Sequence, residues 1–339
     1  MITAKDEATP EAIDGYLKPY AEKLNFNNIN EALKYPRFVQ IETTRLCNAS
    51  CPFCPVDEWD KSTPFMADDL YSKIVDELSE FASEIRGVSL QKAGEPLLDK
   101  KIARRIKMLK DVGVNTVTLA SNASALTEKK AHEILEAGLD ELMISIDSVD
   151  KENYESLRRG LNYDRVLTNI RTFFAVREKV RPDCIVRVRG VAVEANDHTK
   201  NEDEFKRWES FWSDLRKPQD RIYMKRPHNW GNTFEWEEQL SQPKAVYHPC
   251  IIPWSSFNIS AMGIVALCTQ DYDAVANMGD VNKQTILEIW RGPAFEQLRK
   301  AHATGNRNDY KMCQGCQVYD EEFSLEKEKP ALYPTAKAS

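Results

Sequence analysis

A chain of 339 residues with a formal charge of −7 exceeds one average domain and has length to bury a sizeable core. That charge, with no long basic run, argues against a general nucleic-acid binder. Met1-Ile2-Thr3-Ala4-Lys5 does not open a signal peptide, no stretch of about 18 apolar residues is present to span a membrane, and eight cysteines without a signal fit the reducing cytoplasm, where thiolates stay available for metal.

Residues 1–35 are polar, with helical periodicity around 12–24 and 29–33, and predict a short helical lead-in. From residue 38 short apolar strands alternate with amphipathic helices. The strands are expected at 38–44, 88–92, 116–121, 141–147, 185–193 and 221–226, and the helices at 68–84, 101–112, 127–137, 163–180 and 202–215. Six such repeats predict a parallel sheet with helices outside. Assigning the apolar parity of each strand to the helix side leaves a polar lumen. It is lined by Gln40, Glu42 and Thr44, Ser89 and Gln91, Thr116 and Thr118, Met143, Ser145 and Asp147, Arg187 and Arg189, and Tyr223 and Lys225. So polar a lumen is expected to hold small polar molecules. The competing reading is internal salt bridging, for instance of Glu42 or Asp147 with Arg187.

After Lys225 the repeat stops, and Pro227, Gly231 and Pro243 mark a boundary. Four cysteines follow: Cys250, Cys268, Cys313 and Cys316. Between them lie a hairpin with arms at 256–260 and 264–267 turning at Gly263, and helices at 285–290 and 293–303. The expected division is a lead-in 1–35, a core 36–228, a linker 229–246, a small α+β unit 247–325 and a tail 326–339. Trp254 and Phe257 of that unit read as hairpin core, or else as a stacking surface for a sugar or base.

The densest chemical signal is Cys47-Asn48-Ala49-Ser50-Cys51-Pro52-Phe53-Cys54, directly after the first strand. A closed zinc site wants four ligands; this loop offers three, with no histidine near. Three thiolates on a 4Fe-4S cluster leave one iron open. The C-x3-C-x2-C loop resembles that of the radical S-adenosylmethionine (radical SAM) superfamily. The resemblance implies an incompletely closed (β/α)6 TIM-like barrel over the core. It also implies that Cys47, Cys51 and Cys54 hold a cluster whose open iron binds S-adenosylmethionine and cleaves it to a deoxyadenosyl radical. By the same resemblance Phe53 lies near the adenine. Gly94-Glu95-Pro96 matches the motif that binds the methionine amino group, although Ala93 stands where a first glycine is common. Ser121-Asn122-Ala123 stands where relatives often read Thr-Asn-Gly, Ser145 and Asp147 match ribose contacts, Arg159 is expected on the methionine carboxylate rather than Arg158, and Asn196 matches a common family asparagine.

The four later cysteines fit zinc or a fully ligated 4Fe-4S cluster by spacing alone. Their pattern resembles the SPASM extension in its shortened Twitch form, as in the Twitch-type 2-deoxy-scyllo-inosamine dehydrogenases. This implies a second 4Fe-4S cluster, oxidation of an alcohol carbon in a sugar, cyclitol or nucleotide-linked sugar, and a reducing partner such as flavodoxin or ferredoxin. Arg187, Arg189, Tyr223 and Lys225, with Arg226 and His228, are the candidate contacts to an anionic, carbohydrate-like substrate. Alternatives are an epimerase using Cys184 as hydrogen donor, a peptide-modifying maturase, or an iron–sulfur redox sensor or scaffold. Cys184 itself shares the parity of Val186 and Val188, which points it at the helices.

Overall fold

The alternating pattern folds as one open sheet. In this computed structural model the described residues are 29–191, 198–225, 228, 230–232, 234, 247 and 249–316, with 15 and 18 as isolated positions. Six strands are parallel: β1 (Phe38–Ile41), β2 (Gly87–Ser89), β3 (Val117–Ser121), β4 (Glu141–Ser145), β5 (Ile185–Val191) and β6 (Arg221–Lys225). The helices Asp68–Ser79, Ile102–Asp111, Glu128–Glu136, Tyr163–Val180 and His198–Ser213 connect them. This is a partial (β/α)6 barrel. On β5 the parity is explicit. Val186 and Val188 join the apolar cluster of Phe173 and Trp208, while Arg187 and Arg189 alternate between them, half-buried. Helix starts follow local chemistry. The side chains of Thr127, Asp150 and Asn162 accept the backbone N–H of Lys130, Asn153 and Arg165, caps worth about 1 kcal/mol each.

The C-terminal region continues the same sheet. Strands β7 (Ser256–Ile259), β8 (Ile264–Ala266) and β9 (Asn277–Asp280) extend it in the order β6-β5-β4-β3-β2-β1-β7-β8-β9. Strand β7 lies parallel to β1, from Phe38 opposite Ser256 to Ile41 opposite Ile259. Gly263 takes φ +86° at the β7–β8 turn, a left-handed conformation that needs no Cβ. Trp254 and Phe257 are core: the Phe257 ring stacks on Phe295 at 5.9 Å and meets Trp290 edge-on at 6.3 Å. Strand β9, four residues including Gly279, and the helix Lys151–Leu157 are elements that apolar periodicity misses. The expected strands overrun their ends by two or three residues at β1, β2 and β4, because the residues past each end turn to bind other segments, while the last two expected residues of β5, 192–193, lie outside the described residues. The helix expected at 12–24 (apart from positions 15 and 18), Asn196, Arg226, most of the linker and the tail 326–339 lie outside the described residues. Among the described residues no helix is long and apolar enough to cross a membrane.

Candidate functional site

The loop carrying Cys47, Cys51 and Cys54 leaves the C-terminal end of β1 and is pressed against the turn after β2. A Cβ on Gly94 would stand 2.3 Å from the Thr44 carbonyl oxygen and 2.7 Å from that of Leu46, so only glycine fits. The Glu95 N–H donates to the Leu46 carbonyl at 2.7 Å, and the Cys54 N–H to that of Cys51 at 3.0 Å. Cys51 is buried and the other two half-buried. Burial pushes the Cys47 thiol up to about 11 and Cys54 to about 12, and raises Cys51 as well. Neighbouring sulfurs add to the rise at Cys47 and Cys54. Three crowded thiols of this kind become thiolates together only around a positive centre, and a metal cluster is such a centre. The donor set therefore fits an iron–sulfur cluster.

Arg158 closes over this loop. Its Nε donates to Asp147 Oδ2 at 2.5 Å and its Nη2 to Oδ1 at 3.0 Å, while Nη1 lies 3.7 Å from the Cys51 sulfur. The guanidinium carbon sits 5.2 Å from the centre of the Phe53 ring. Arg159, chosen from the sequence, has an exposed side chain, and its carbonyl instead accepts the Ser50 N–H at 2.9 Å. The cause is the helix Lys151–Leu157, whose end turns Arg158 inward. Asp147, expected at a ribose, spends its carboxylate on Arg158 and on the Val191 N–H at 2.8 Å. The neighbouring Ser145 hydroxyl accepts from Arg189 Nη2 at 3.4 Å.

Glu95 organises the strand ends. Its Oε1 accepts the Leu97 N–H at 3.1 Å and the Ser121 hydroxyl at 2.7 Å, and Oε2 accepts the Asn122 N–H at 2.7 Å. Burial raises its pKa against the pull of those bonds. A carboxylate offers about four acceptor directions, so a ligand ammonium finds few left on Glu95 itself. The Asn122 amide bridges to Asn48 of the cysteine loop at 3.1 Å. Ala123 takes φ +59°, the left-handed region, at a cost of about 1–2 kcal/mol for a residue with a Cβ.

The candidate substrate residues separate. Arg187 Nη2 pairs with Glu141 at 2.7 Å and is committed to the scaffold. Tyr223 is buried, its hydroxyl 3.8 Å from the Met143 sulfur, and the exposed Lys225 ammonium lies 5.8 Å from the Tyr223 ring centre. His228 is driven down to about 3 by burial first, then by the charges of Arg189 and Lys225, so the imidazole is neutral. Cys184 is fully buried just before β5, its sulfur 3.8 Å from the Ile185 carbonyl oxygen, with its thiol pushed up to about 12 by burial. The strands are parallel, and the cysteine loop leaves the C-terminal end of β1. Cys184 is therefore at the opposite end of the sheet.

Cys250, Cys268, Cys313 and Cys316 share one neighbourhood. Burial drives Cys268 well up, with Cys313 and Cys316 adding to the rise. Cys313 is pushed up to about 12 by burial, against Arg307, with Cys250 and Cys316 adding. Three residues invisible to motif reading set this geometry. His302 Nδ1 accepts the Cys250 N–H at 3.0 Å, and Arg307 Nη2 donates to the Cys316 carbonyl at 2.7 Å. The Asp271 carboxylate accepts the N–H groups of Leu267, Val275 and Ala276 at 3.2, 2.7 and 3.1 Å. Their partners are backbone atoms, so no residue spacing announces them. Tyr272 of the same loop joins Val56 and Trp59 in a buried cluster, against which Cys47 and Cys54 pack. The loop that follows Cys268 thus reaches, through Tyr272, the layer on which Cys47 and Cys54 pack.

The radical SAM superfamily model matches residues 41–194, and the SPASM iron–sulfur cluster-binding model matches residues 250–317. The chain is 32% identical over 158 residues to the GTP 3′,8-cyclase of Limosilactobacillus fermentum, covering 45% of this chain and 46% of that protein. It thus spans under half the length of that relative. It is 22% identical over 286 residues to the S-adenosyl-L-methionine-dependent 2-deoxy-scyllo-inosamine dehydrogenase of Niallia circulans, covering 82% of this chain and 91% of that one. The crystal structure of BtrN in complex with AdoMet and 2-DOIA superposes with a TM-score of 0.58 at 17% identity, covering 88% of this chain and 98% of that chain.

Proposed function

We propose that this chain, which carries a radical SAM domain and a SPASM iron–sulfur domain, oxidises an alcohol carbon of a polar, carbohydrate-like small molecule. The radical SAM domain implies a 4Fe-4S cluster with S-adenosylmethionine, and the SPASM domain implies further iron–sulfur. When bound, these groups would supply abstraction of the carbinol hydrogen atom at one site and an acceptor for the one electron left on that carbon at the other; with the hydroxyl proton released to solvent, a secondary alcohol leaves as a ketone.

The observation that carries this reading is the four-sulfur group of Cys250, Cys268, Cys313 and Cys316, whose Cys268 begins the loop that places Tyr272 in the layer packing Cys47 and Cys54. An epimerase needs a hydrogen donor in the lumen, and Cys184 sits buried at the other end of the sheet. On the protein side, the bond from Asn122 to Asn48 ties the end of β3 to the cysteine loop, and Arg158 covers Phe53. Arg189, Lys225 and neutral His228 make the ends of β5 and β6 suited to an anionic substituent, such as the phosphate of a sugar nucleotide.

Turnover of candidate sugars and sugar nucleotides in heavy water tests the reading. The expected product is a ketone carrying no solvent deuterium, and Cys268→Ser is expected to keep forming deoxyadenosine while ketone falls at least tenfold. A product of unchanged oxidation state with one deuterium at a stereocentre would place the enzyme among epimerases instead.

A further inference from the structure

Several polar side chains past the ends of β1 and β2 turn toward the C-terminal region. Glu42 Oε2 accepts the Ala261 N–H at 3.0 Å, and the buried Arg45 pairs with Asp273. Lys92 Nζ donates to the Asp271 carbonyl at 2.5 Å and to that of Tyr272 at 2.8 Å. Only 5% of Lys92 is exposed. A buried ammonium is costly unless it is bonded and compensated. Burial lowers the Lys92 pKa, and Arg45 adds to the fall; two carbonyls bond the ammonium, and the charges of Glu42, Asp271 and Cys268 act to hold it.

The gripped loop does two things at once. It starts at Cys268, one of the four C-terminal sulfurs, and its Asp271 carboxylate orders three backbone N–H groups around it. Its Tyr272 ring lies 6.1 Å from Trp59 and 6.0 Å from Trp230, over the layer that packs Cys47 and Cys54. Lys92 itself stands two positions before Gly94, in the turn pressed on the cysteine loop. A single side chain therefore spans from the turn at one cysteine group to the loop at the other.

We propose that Lys92 is a positioning residue that joins the two cysteine sites, fixing the 268–276 loop and placing one positive charge beside the four-cysteine site, where it raises the reduction potential of the cluster held there. The proposal rests on the cluster reading given above. Cluster potentials respond to net charge and hydrogen bonding around the sulfurs. A buried charge is little screened by salt, so it favours the more negative, reduced state of the cluster.

The test uses the full chain with Cys47, Cys51 and Cys54 changed to alanine, so that iron–sulfur remains only at the C-terminal site. Redox titration followed by electron paramagnetic resonance compares Lys92 with Lys92→Gln, which keeps a donor without the charge, and Lys92→Arg, which keeps the charge. The expected result is equal iron in all three, a more negative midpoint in Lys92→Gln, and return toward the parent value in Lys92→Arg. Faster hydrogen exchange at the Val275 and Ala276 amides should accompany the shift. An unmoved midpoint in Lys92→Gln at full iron content overturns the proposal. If Lys92→Gln holds no iron, Lys92→Arg decides: parent-like iron and midpoint support the charge, and loss in both overturns it. A parent protein that takes up no iron at the C-terminal site overturns the cluster reading, and the role of Lys92 with it.

Discussion

The two cysteine groups are built by opposite means. The N-terminal loop holds three sulfurs in one short segment, pressed against Gly94 and covered by a guanidinium that reaches Cys51 and Phe53. The C-terminal group draws four sulfurs from three separate segments and fixes them through backbone contacts of His302, Arg307 and Asp271. A local loop can leave a coordination position open because its shape does not depend on the metal closing it. A set gathered from distant segments gains most from a metal centre that takes all four ligands. The difference is what the proposed roles ask for: one site open to a ligand, the other closed around its centre and passing electrons.

Removing Cys47, Cys51 and Cys54 together should break the comparison most visibly. Deoxyadenosine formation with dithionite and S-adenosylmethionine should vanish, while reconstituted iron falls from about eight to about four per chain. Iron analysis and chromatography read both. Loss of all iron would mean that the two sites do not form independently.

The cover over the N-terminal loop is the next test. Arg158→Ala strips the partner from the buried Asp147 carboxylate, and breaking such a pair costs about 3–5 kcal/mol. Arg159→Ala removes an exposed side chain and should stay within about 0.5 kcal/mol. Urea unfolding compares them, and equal midpoints for the two variants would contradict the placement of Arg158.

The smallest expected effect belongs to the cysteine that neither group uses. Cys184→Ala should cost about 1 kcal/mol in packing and leave turnover within about twofold. A stalled substrate radical in that variant would return Cys184 to the chemistry.

What the sequence made legible follows from range. Strand parity and the spacing of Cys47, Cys51 and Cys54 are local patterns, and the half-buried Arg187 and Arg189 between buried valines follow them. Arg158 against Arg159 turned on one short helix, Lys151–Leu157, capped by Asp150, which the strand-and-helix pattern did not reveal. Polarity of the lumen side was legible, but not its use. Arg187 went to Glu141, and Glu42 went to the C-terminal hairpin rather than to a small molecule. Those partners are distant in the chain, and charge alone does not choose among them. Lys92 is the extreme case: its acceptors are backbone carbonyls, which every residue has.

The pairing of β7 with β1 has a consequence for how the chain is made. Phe38 finds one neighbour early, in Gly87, but its other neighbour is Ser256. At about 5–20 residues per second, synthesis leaves that side of β1 bare for on the order of ten seconds or more. Phe38-Val39-Gln40-Ile41 is an apolar strand with an open edge during that interval, the kind of surface on which nascent chains pair with one another. The last third of the protein therefore acts as the seal on the first. Synthesis that pauses between β6 and β7 should yield aggregates, and slower growth temperature or a chaperone holding the β1 edge should recover soluble protein.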